Sequence, residues 1–200
     1  GHHVEEAAPD ADTRGMMEAW TKIVACGTAL SIESAVRKRG HPLQAGEIEG
    51  IARGAIAYAR GLSGADYLEA VGKVHAYGRE MAAFFNDHDI LLTSTLAEPP
   101  ARIGRFDHAP EDYVDYRMGP GRVFDYSPYT AAFNASGQPA ASLPLHWSAD
   151  GLPVGIQLAA AYGKDEMLMG LCARIEEASP WFDRRPPLTA QTLSMPGAQM

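Results

Sequence analysis

The order of apolar and polar residues predicts a long helix near the start of the chain. Apolar side chains recur every three or four residues from Met16 to Leu30, which is the spacing of one helix face. Asp12 or Thr13 can cap the start of this helix, and Gly40 is a typical stop. The predicted buried face consists of Met16, Trp20, Ile23, Gly27 and Leu30.

Two further helices follow and complete a helical segment over residues 13–86. One is predicted over residues 47–60, with Ile48, Ile51, Ala55 and Ala59 on one side. The other has the clearest start, because Ser63 and Asp66 have the spacing of a capping box. Its predicted buried stripe consists of Tyr67, Val71, Val74, Gly78, Met81 and Phe85.

The period then changes to that of strands. Residues 89–95 read DILLTST and predict a short buried strand, whereas residues 101–127 show no period and indicate a long ordered loop. A brief helix over 127–133 precedes strands over 140–147 and 154–160, and Asp150-Gly151 between them indicates a hairpin. Residues 4–9 also read as a short strand leading into a loop.

The chain is predicted to close with an amphipathic helix over residues 165–178. Its apolar positions are Leu168, Leu171, Cys172 and Ile175. The proline-containing residues 183–200 are expected to form a surface tail. No internal repeat is visible, so we expect mixed layers of helix and sheet in one unit.

Glycines and prolines concentrate in the stretch FNASGQPAASLPLHWSADGLPVGIQL, from Phe133 to Leu158. Gly137 can adopt a positive φ and Pro139 fixes the entry to a strand, so the amide of Asn134 is held at a defined corner. Gly155 removes a side chain from within a strand, which permits close approach by a backbone or a ligand. The same glycines can also serve tight packing alone.

Charge and cysteine content narrow the classes of partner. The 200 residues carry a formal charge of -8 at pH 7, which disfavours a nucleic acid or an anionic membrane as partner. Cys26 and Cys172 lie far apart in helical patterns and suit reduced thiols, which favours a cytoplasmic location. No apolar run has the length of a membrane span, and no signal peptide is visible.

Three segments resemble the amidase signature family of serine-dependent amide hydrolases. The run FNASGQPAASLPLHWSADGLPVGIQLAAAYGKDEMLMGLCARIEEASPW is similar to the C-terminal part of that family, and DILLTSTLAEPP resembles its earlier strand. GHHVEEAAP is similar to the segment that follows its catalytic core. Residues 1–182 therefore resemble the C-terminal part of an amidase domain. Residues 89–160 would form its strand and substrate-wall segment.

The resemblance implies an α/β/α sandwich around a mixed sheet and hydrolysis of a carboxamide through an acyl-enzyme, without metal or cofactor. The family uses a Lys-Ser-Ser triad in a glycine- and serine-rich N-terminal stretch. This chain contains no adjacent Ser-Ser pair, so no catalytic residue can be assigned to it. By resemblance, Tyr129, Thr130, Phe133, Asn134 and Gln157 would form a substrate-pocket wall, and residues 113–126 a variable specificity element. Gln157 can equally bond neighbouring backbone.

Two other constellations favour structural roles. Ser136 and Ser142 lie outside any Gly-x-Ser-x-Gly elbow, so local hydrogen bonding is the better interpretation. Asp87, His88 and Asp89 are adjacent and point in different directions, which suits a solvated helix end better than a metal site.

Two hypotheses about function follow. In the first, the chain is the non-catalytic half of an amidase, and its partners are a small-molecule amide and the missing N-terminal catalytic half. In the second, it is a non-catalytic binding or assembly module derived from an amidase fold. Both predict self-association, because half of a sheet exposes edge strands and apolar surface. The sequence does not identify the amide.

Overall fold

A computed structural model of the chain describes residues 1–186. This part of the chain begins with three helices, and the first of them is its longest helix. In chain order the elements are α1 Thr13–Arg39, α2 Gly50–Arg60, α3 Gly64–Phe84, β1 Ile90–Ser94, α4 Tyr113–Met118, α5 Val123–Tyr126, α6 Thr130–Ser136, β2 Ala140–Trp147, β3 Pro153–Ala160 and α7 Asp165–Ala178.

The ends of the long helices follow from local chemistry. The side chain of Asp12 accepts a hydrogen bond from the N–H of Gly15 at the start of α1, and Gly40 ends the helix with φ 80°. In α3, Ser63 and Asp66 form both bonds of a capping box, as predicted from their spacing. These caps hold the first turns of two helices that pack against each other.

The sheet has three strands in the described part of the chain, in the order β1-β3-β2, and both pairs are antiparallel. β2 and β3 form the predicted hairpin, with Ala140 opposite Ala159 and Trp147 opposite Pro153. An irregularity in the register falls between Pro144 and His146, where proline cannot donate to the ladder. β1 and β2 each pair on one side only.

Helices cover both faces of this sheet, so the chain has the α/β/α layering. On one face Ala159 packs with Tyr77, Met81 and Phe133 of α3 and α6. On the other face Leu158 and Ala160 pack against Leu168 of α7, as the alternation of strand side chains requires. The predicted α/β fold class is confirmed.

The buried face of the first helices differs in detail from the prediction. Leu30 is 64% exposed, whereas Ala25 and Ala29 are buried, because small side chains let α1 approach its neighbouring helices closely. In α3 the prediction included Tyr67, which is exposed, and it omitted Ala70 and Tyr77, which are buried. Periodicity identified the helices correctly. It assigned large apolar residues to the buried face, whereas the contacts between helices also bury small residues.

Three predictions about the remaining segments were wrong. Residues 4–9 form no strand, and Val4 is exposed, because no neighbouring strand pairs with this segment. Residues 101–127 are not a plain loop, since α4 and α5 lie within them. β1 is not fully buried, because Leu92 of this edge strand is 61% exposed. Of the predicted tail 183–200, residues 187–200 lie outside the described part of the chain.

Candidate substrate-pocket wall

The short helix α6 and its flanking residues contain four of the five predicted wall residues. Tyr129 stands at the N-terminal end of α6 and is exposed, and the hydroxyl of Thr130 lies 2.8 Å from that of Ser127. Gly137 ends the helix with φ 77°, and its N–H donates to the carbonyl of Phe133. This left-handed conformation is the reason a glycine is required there, and it confirms the predicted corner.

Successive residues of α6 face in different directions. Phe133 is 8% exposed and packs in the core with residues of α1 and α3, so it holds the helix in place from behind. Asn134 is exposed, and its side-chain amide donates to the carbonyl of Thr130 at 3.2 Å. Asn134 therefore keeps its side-chain oxygen free of partners within the described residues, on the open side of α6.

A row of polar groups lies on the sheet face that packs against α6, beyond the apolar contact at Ala159. Gln157 is 5% exposed, and its side-chain amide donates to the hydroxyl of Thr93 at 3.2 Å. Its side-chain partner is thus a hydroxyl on the neighbouring strand. A buried amide that lacked such a partner would destabilise the fold by about 1–3 kcal/mol. The side chain of Gln157 is therefore held in the orientation that keeps its bond to Thr93.

Two residues before Gln157 on β3, Gly155 permits the close contact that its position in a strand predicts. The hydroxyls of Thr95 and Ser142 meet at 2.6 Å beside it, and the N–H of Thr95 donates to the carbonyl of Gly155 at 2.9 Å. A Cβ at Gly155 would lie 2.6 Å from both hydroxyl oxygens. Glycine in a strand signalled a close approach, but only the fold reveals that Thr95 and Ser142 make it.

The segment that joins β1 to α6 is ordered by contacts with α1. Tyr113 is buried, its hydroxyl donates to the carbonyl of Thr21 at 3.0 Å, and burial raises the pKa of Tyr113 to about 12. The guanidinium of Arg117 lies over the rings of Tyr113 and Phe124, at 5.6 Å and 4.7 Å from their centroids. Tyr113 and Arg117 thereby connect residues 113–126 to α1.

Neither serine considered as a nucleophile has a base as its hydrogen-bond partner. The hydroxyl of Ser136 donates to the amide oxygen of Gln138 at 2.6 Å, and Ser142 bonds the hydroxyl of Thr95. Neither an amide nor a hydroxyl is itself basic enough to take the proton of a serine at neutral pH, so these partners do not supply the activation that a nucleophilic serine needs. Both contacts are local hydrogen bonds, as the sequence interpretation expects.

His88 is held at the end of α3. Its ring stacks on Phe84 at 4.2 Å, with Nδ1 at 3.2 Å from the carbonyl of Phe84 and Nε2 at 3.1 Å from Glu5. Within residues 1–186, no three His, Cys, Asp or Glu side chains converge as metal ligands would. No helix in the same range is both long enough and apolar enough to cross a membrane.

The chain is thus an α/β protein in which the short helix α6 lies beside a polar face of the sheet. A family model described as Amidase matches residues 7–169, which is most of the chain. The chain belongs to this amidase signature family.

Relatives and solved structures match the chain over most of its length. The 6-aminohexanoate-cyclic-dimer hydrolases of Paenarthrobacter ureafaciens and Pseudomonas sp. (strain NK87) are 29% and 30% identical, and each match covers 99% of this chain and 41% of the relative. A structure of 6-aminohexanoate cyclic dimer hydrolase complexed with substrate superposes with a TM-score of 0.82 at 28% identity, over 94% of this chain and 40% of that chain. A bacterial aryl acylamidase of the amidase signature family has a TM-score of 0.72 at 26% identity, over 90% of this chain and 37% of that chain. The chain therefore spans about two fifths of the length of these relatives.

Proposed function

We propose that this chain is the pocket-wall and scaffold part of an amidase that hydrolyses a carboxamide C–N bond through an acyl-enzyme. The observation that carries the proposal is the superposition on a substrate-bound hydrolase over 94% of this chain. The Lys-Ser-Ser centre would lie in polypeptide outside this chain. The partners of Ser136 and Ser142 support this division, because neither partner can act as a base.

The proposed wall consists of α6 with the polar sheet face beside it. Tyr129, Thr130 and Asn134 would face the substrate, while buried Phe133 fixes the helix that presents them. Gln157 would orient the adjoining sheet surface through its bond to Thr93. Tyr129 and Asn134 offer a ring and an amide, which suit an apolar acyl group and a polar carboxamide respectively.

The partners follow from this division of labour. The amidase would bind a small-molecule amide, and this chain would bind the catalytic half. The free edges of β1 and β2 in the described sheet support docking of further strands or a homo-oligomer. The acidic charge opposes nucleic-acid and anionic-membrane partners. The free thiols Cys26 and Cys172 support a cytoplasmic location.

The alternative function is a non-catalytic binding or assembly module derived from the amidase fold. The observation that favours it is that α1, α3, α6 and the sheet share a core within this chain. Such a core gives the chain a means of folding without further polypeptide. The alternative requires no chemistry from the wall residues.

Labelling with a fluorophosphonate probe separates the chemistry of this chain from that of any other segment. The 200-residue chain is incubated alone with the probe, and a full-length amidase of the family serves as positive control. We expect no labelling of this chain. Stoichiometric labelling of one serine would contradict the assignment of the nucleophile to another segment.

A chimera tests whether the wall functions in amide hydrolysis. The matching part of the Paenarthrobacter hydrolase is replaced by this chain, and hydrolysis of amide substrates, including the parent's, is measured. We expect a measurable rate that Asn134→Ala lowers by about tenfold, a loss typical of one positioned hydrogen bond. Ser148→Ala in the β2–β3 turn is the control and should retain the rate. A folded chimera without hydrolysis favours the non-catalytic module.

A further inference from the structure

Arg117 is held in one orientation by neutral groups. Its Nε donates to the hydroxyl of Thr21 at 3.2 Å, and that hydroxyl in turn donates to the carbonyl of Met17 at 2.8 Å. Its guanidinium lies over the rings of Tyr113 and Phe124. Thr21 is buried, so the acceptor that fixes Nε has little freedom. The outer nitrogens of the guanidinium are thereby presented at a fixed position.

No carboxylate neutralises this cation within residues 1–186. The two acidic residues nearest in sequence are occupied, since Asp115 pairs with Arg122 at 2.8 Å and Asp112 accepts from the N–H of Asp115 at 3.0 Å. Residues 187–200 contain no Asp or Glu. By contrast, the arginines that form ion pairs in the described part are Arg14, Arg39, Arg53, Arg60, Arg105 and Arg122.

Burial removes part of the hydration of this cation, and a bound anion would offset that loss. Burial lowers the pKa of Arg117, because the surrounding rings and α1 remove water from the guanidinium. Nε is the guanidinium nitrogen that forms a hydrogen bond within residues 1–186, and no side-chain nitrogen there is completely buried without a partner, so the outer nitrogens of Arg117 keep some contact with solvent. A partly desolvated, open guanidinium pairs well with a planar anion through two parallel hydrogen bonds.

We propose that Arg117 is the centre of a binding site for the carboxylate of a small organic acid. Thr21, Tyr113 and Phe124 hold the guanidinium, and its two outer nitrogens donate to the two carboxylate oxygens. Amide hydrolysis releases a carboxylic acid, so the reaction proposed above would supply such a ligand. The binding itself does not depend on that reaction, because all the groups of the site belong to this chain.

Titration of the folded chain with hexanoate, monitored by NMR at the Nε–Hε of Arg117, tests the site. We expect a saturable shift with a dissociation constant on the order of 1 mM. Hexanamide, the neutral analogue, should cause no shift. Arg117→Lys retains the charge but loses the planar pair of donors, so the affinity should fall by about tenfold. Arg14→Lys, at an exposed ion pair, is the matched control and should bind like wild type.

Circular dichroism of each variant establishes that it is folded. The wild-type titration decides the matter even where a variant does not fold. Absence of a saturable shift in the folded wild-type chain by about 10 mM hexanoate would overturn the site. Equal shifts with hexanamide, or equal affinity in folded Arg117→Lys, would also overturn it, because neither result is compatible with recognition of a carboxylate by a guanidinium.

Discussion

Gly50 and Gly54 lie one turn apart on α2, where the backbone of residues 109–111 rests directly against the helix. A Cβ at Gly50 would collide with the carbonyl of Ala109, and one at Gly54 with the carbonyl of Glu111. The N–H of Ile51 also donates to the carbonyl of His108 at 3.0 Å. Because these two glycines have no side chains, the segment that leads into α4 can pass directly against α2.

The first prediction concerns this contact. Gly54→Ala should lower the free energy of unfolding by about 2 kcal/mol, because the new methyl group forces the backbone of residue 111 away from the helix. Gly72→Ala in α3 is the matched control, since nothing lies within 4 Å of its Cβ position. The control should stabilise the chain by about 0.5–1 kcal/mol. Urea denaturation measures both, and an unchanged or higher stability for Gly54→Ala would refute the contact.

The second prediction is a pH dependence at Glu47. The pKa of Glu47 is lowered from its ordinary 4.5 to about 2. The largest cause is the hydrogen bond from Arg39, followed by the one from the backbone N–H of Gln44. Because the folded-state pKa is depressed, the stabilisation is complete above about pH 4.5 and is lost as the pH falls towards 2. The stability difference between wild type and Glu47→Gln should therefore shrink over this window.

Urea denaturation of both proteins at about pH 6 and about pH 3 measures that difference. Glu69→Gln is the control, because Glu69 forms only an exposed pair with Lys73 on α3. A difference for Glu47→Gln that is the same at both pH values would show that Arg39 does not favour the ionised form of Glu47.

At the scale of elements, the start of α3 is the helix end that its own residues specify most completely. Ser63 and Asp66 bond each other's backbone N–H groups at 3.1 Å and 2.7 Å. These bonds are local in sequence and independent of the rest of the fold, so the capping box was predictable from its spacing alone. In contrast, α4 and α5 are too short for a periodic pattern, and tertiary contacts stabilise them instead: α4 contacts α1 and α2, and α5 contacts α4.

The third prediction tests the local origin of the α3 start. Ser63→Ala should lower the free energy of unfolding by about 1 kcal/mol, because the N–H of Asp66 loses its acceptor. Ser31→Ala, on the exposed surface in the middle of α1, is the control and should change stability by no more than about 0.5 kcal/mol. Thermal and urea unfolding give the comparison. Equal effects of the two substitutions would show that the capping bonds contribute nothing.

At the scale of the whole molecule, the sheet is open on both sides in the described residues. β3 is paired on both sides, whereas β1 and β2 each leave one row of backbone groups without a strand. Leu92 on β1 adds an exposed apolar side chain to that edge. Unpaired strand edges with apolar residues tend to associate with further strands.

The fourth prediction concerns this edge. The purified chain should self-associate, and Leu92→Lys should shift it towards monomer, because a charge on an edge strand opposes pairing. Leu30→Lys places the same charge at an exposed leucine of α1 and should leave association unchanged. Sedimentation velocity over a range of concentrations measures the states. A wild-type chain that stays monomeric at high concentration would exclude association through β1.

Several features of this protein follow from the sequence by itself. Helix periodicity, the capping box at Ser63, the hairpin at Asp150-Gly151 and the left-handed Gly137 depend on residues close together in the chain, so their physics is complete within a few turns of backbone. The motifs of residues 133–158 also identified the family. For the same reason the sequence placed β3 to within one residue and α6 to within three residues, since the predicted helix 127–133 lies at Thr130–Ser136.

Other features depend on residues far apart in the chain, so only the tertiary structure decided them. The buried sides of α1 and α3 are set by which helices they meet, and Phe133 faces the core rather than the open side of α6 for the same reason. Within residues 1–186 Arg117 has no carboxylate partner, because the fold places Thr21, Tyr113 and Phe124 around it and engages Asp115 elsewhere. Periodicity predicts which residues lie on the same face of a helix or strand. Which part of the molecule that face contacts is decided by how the elements pack together.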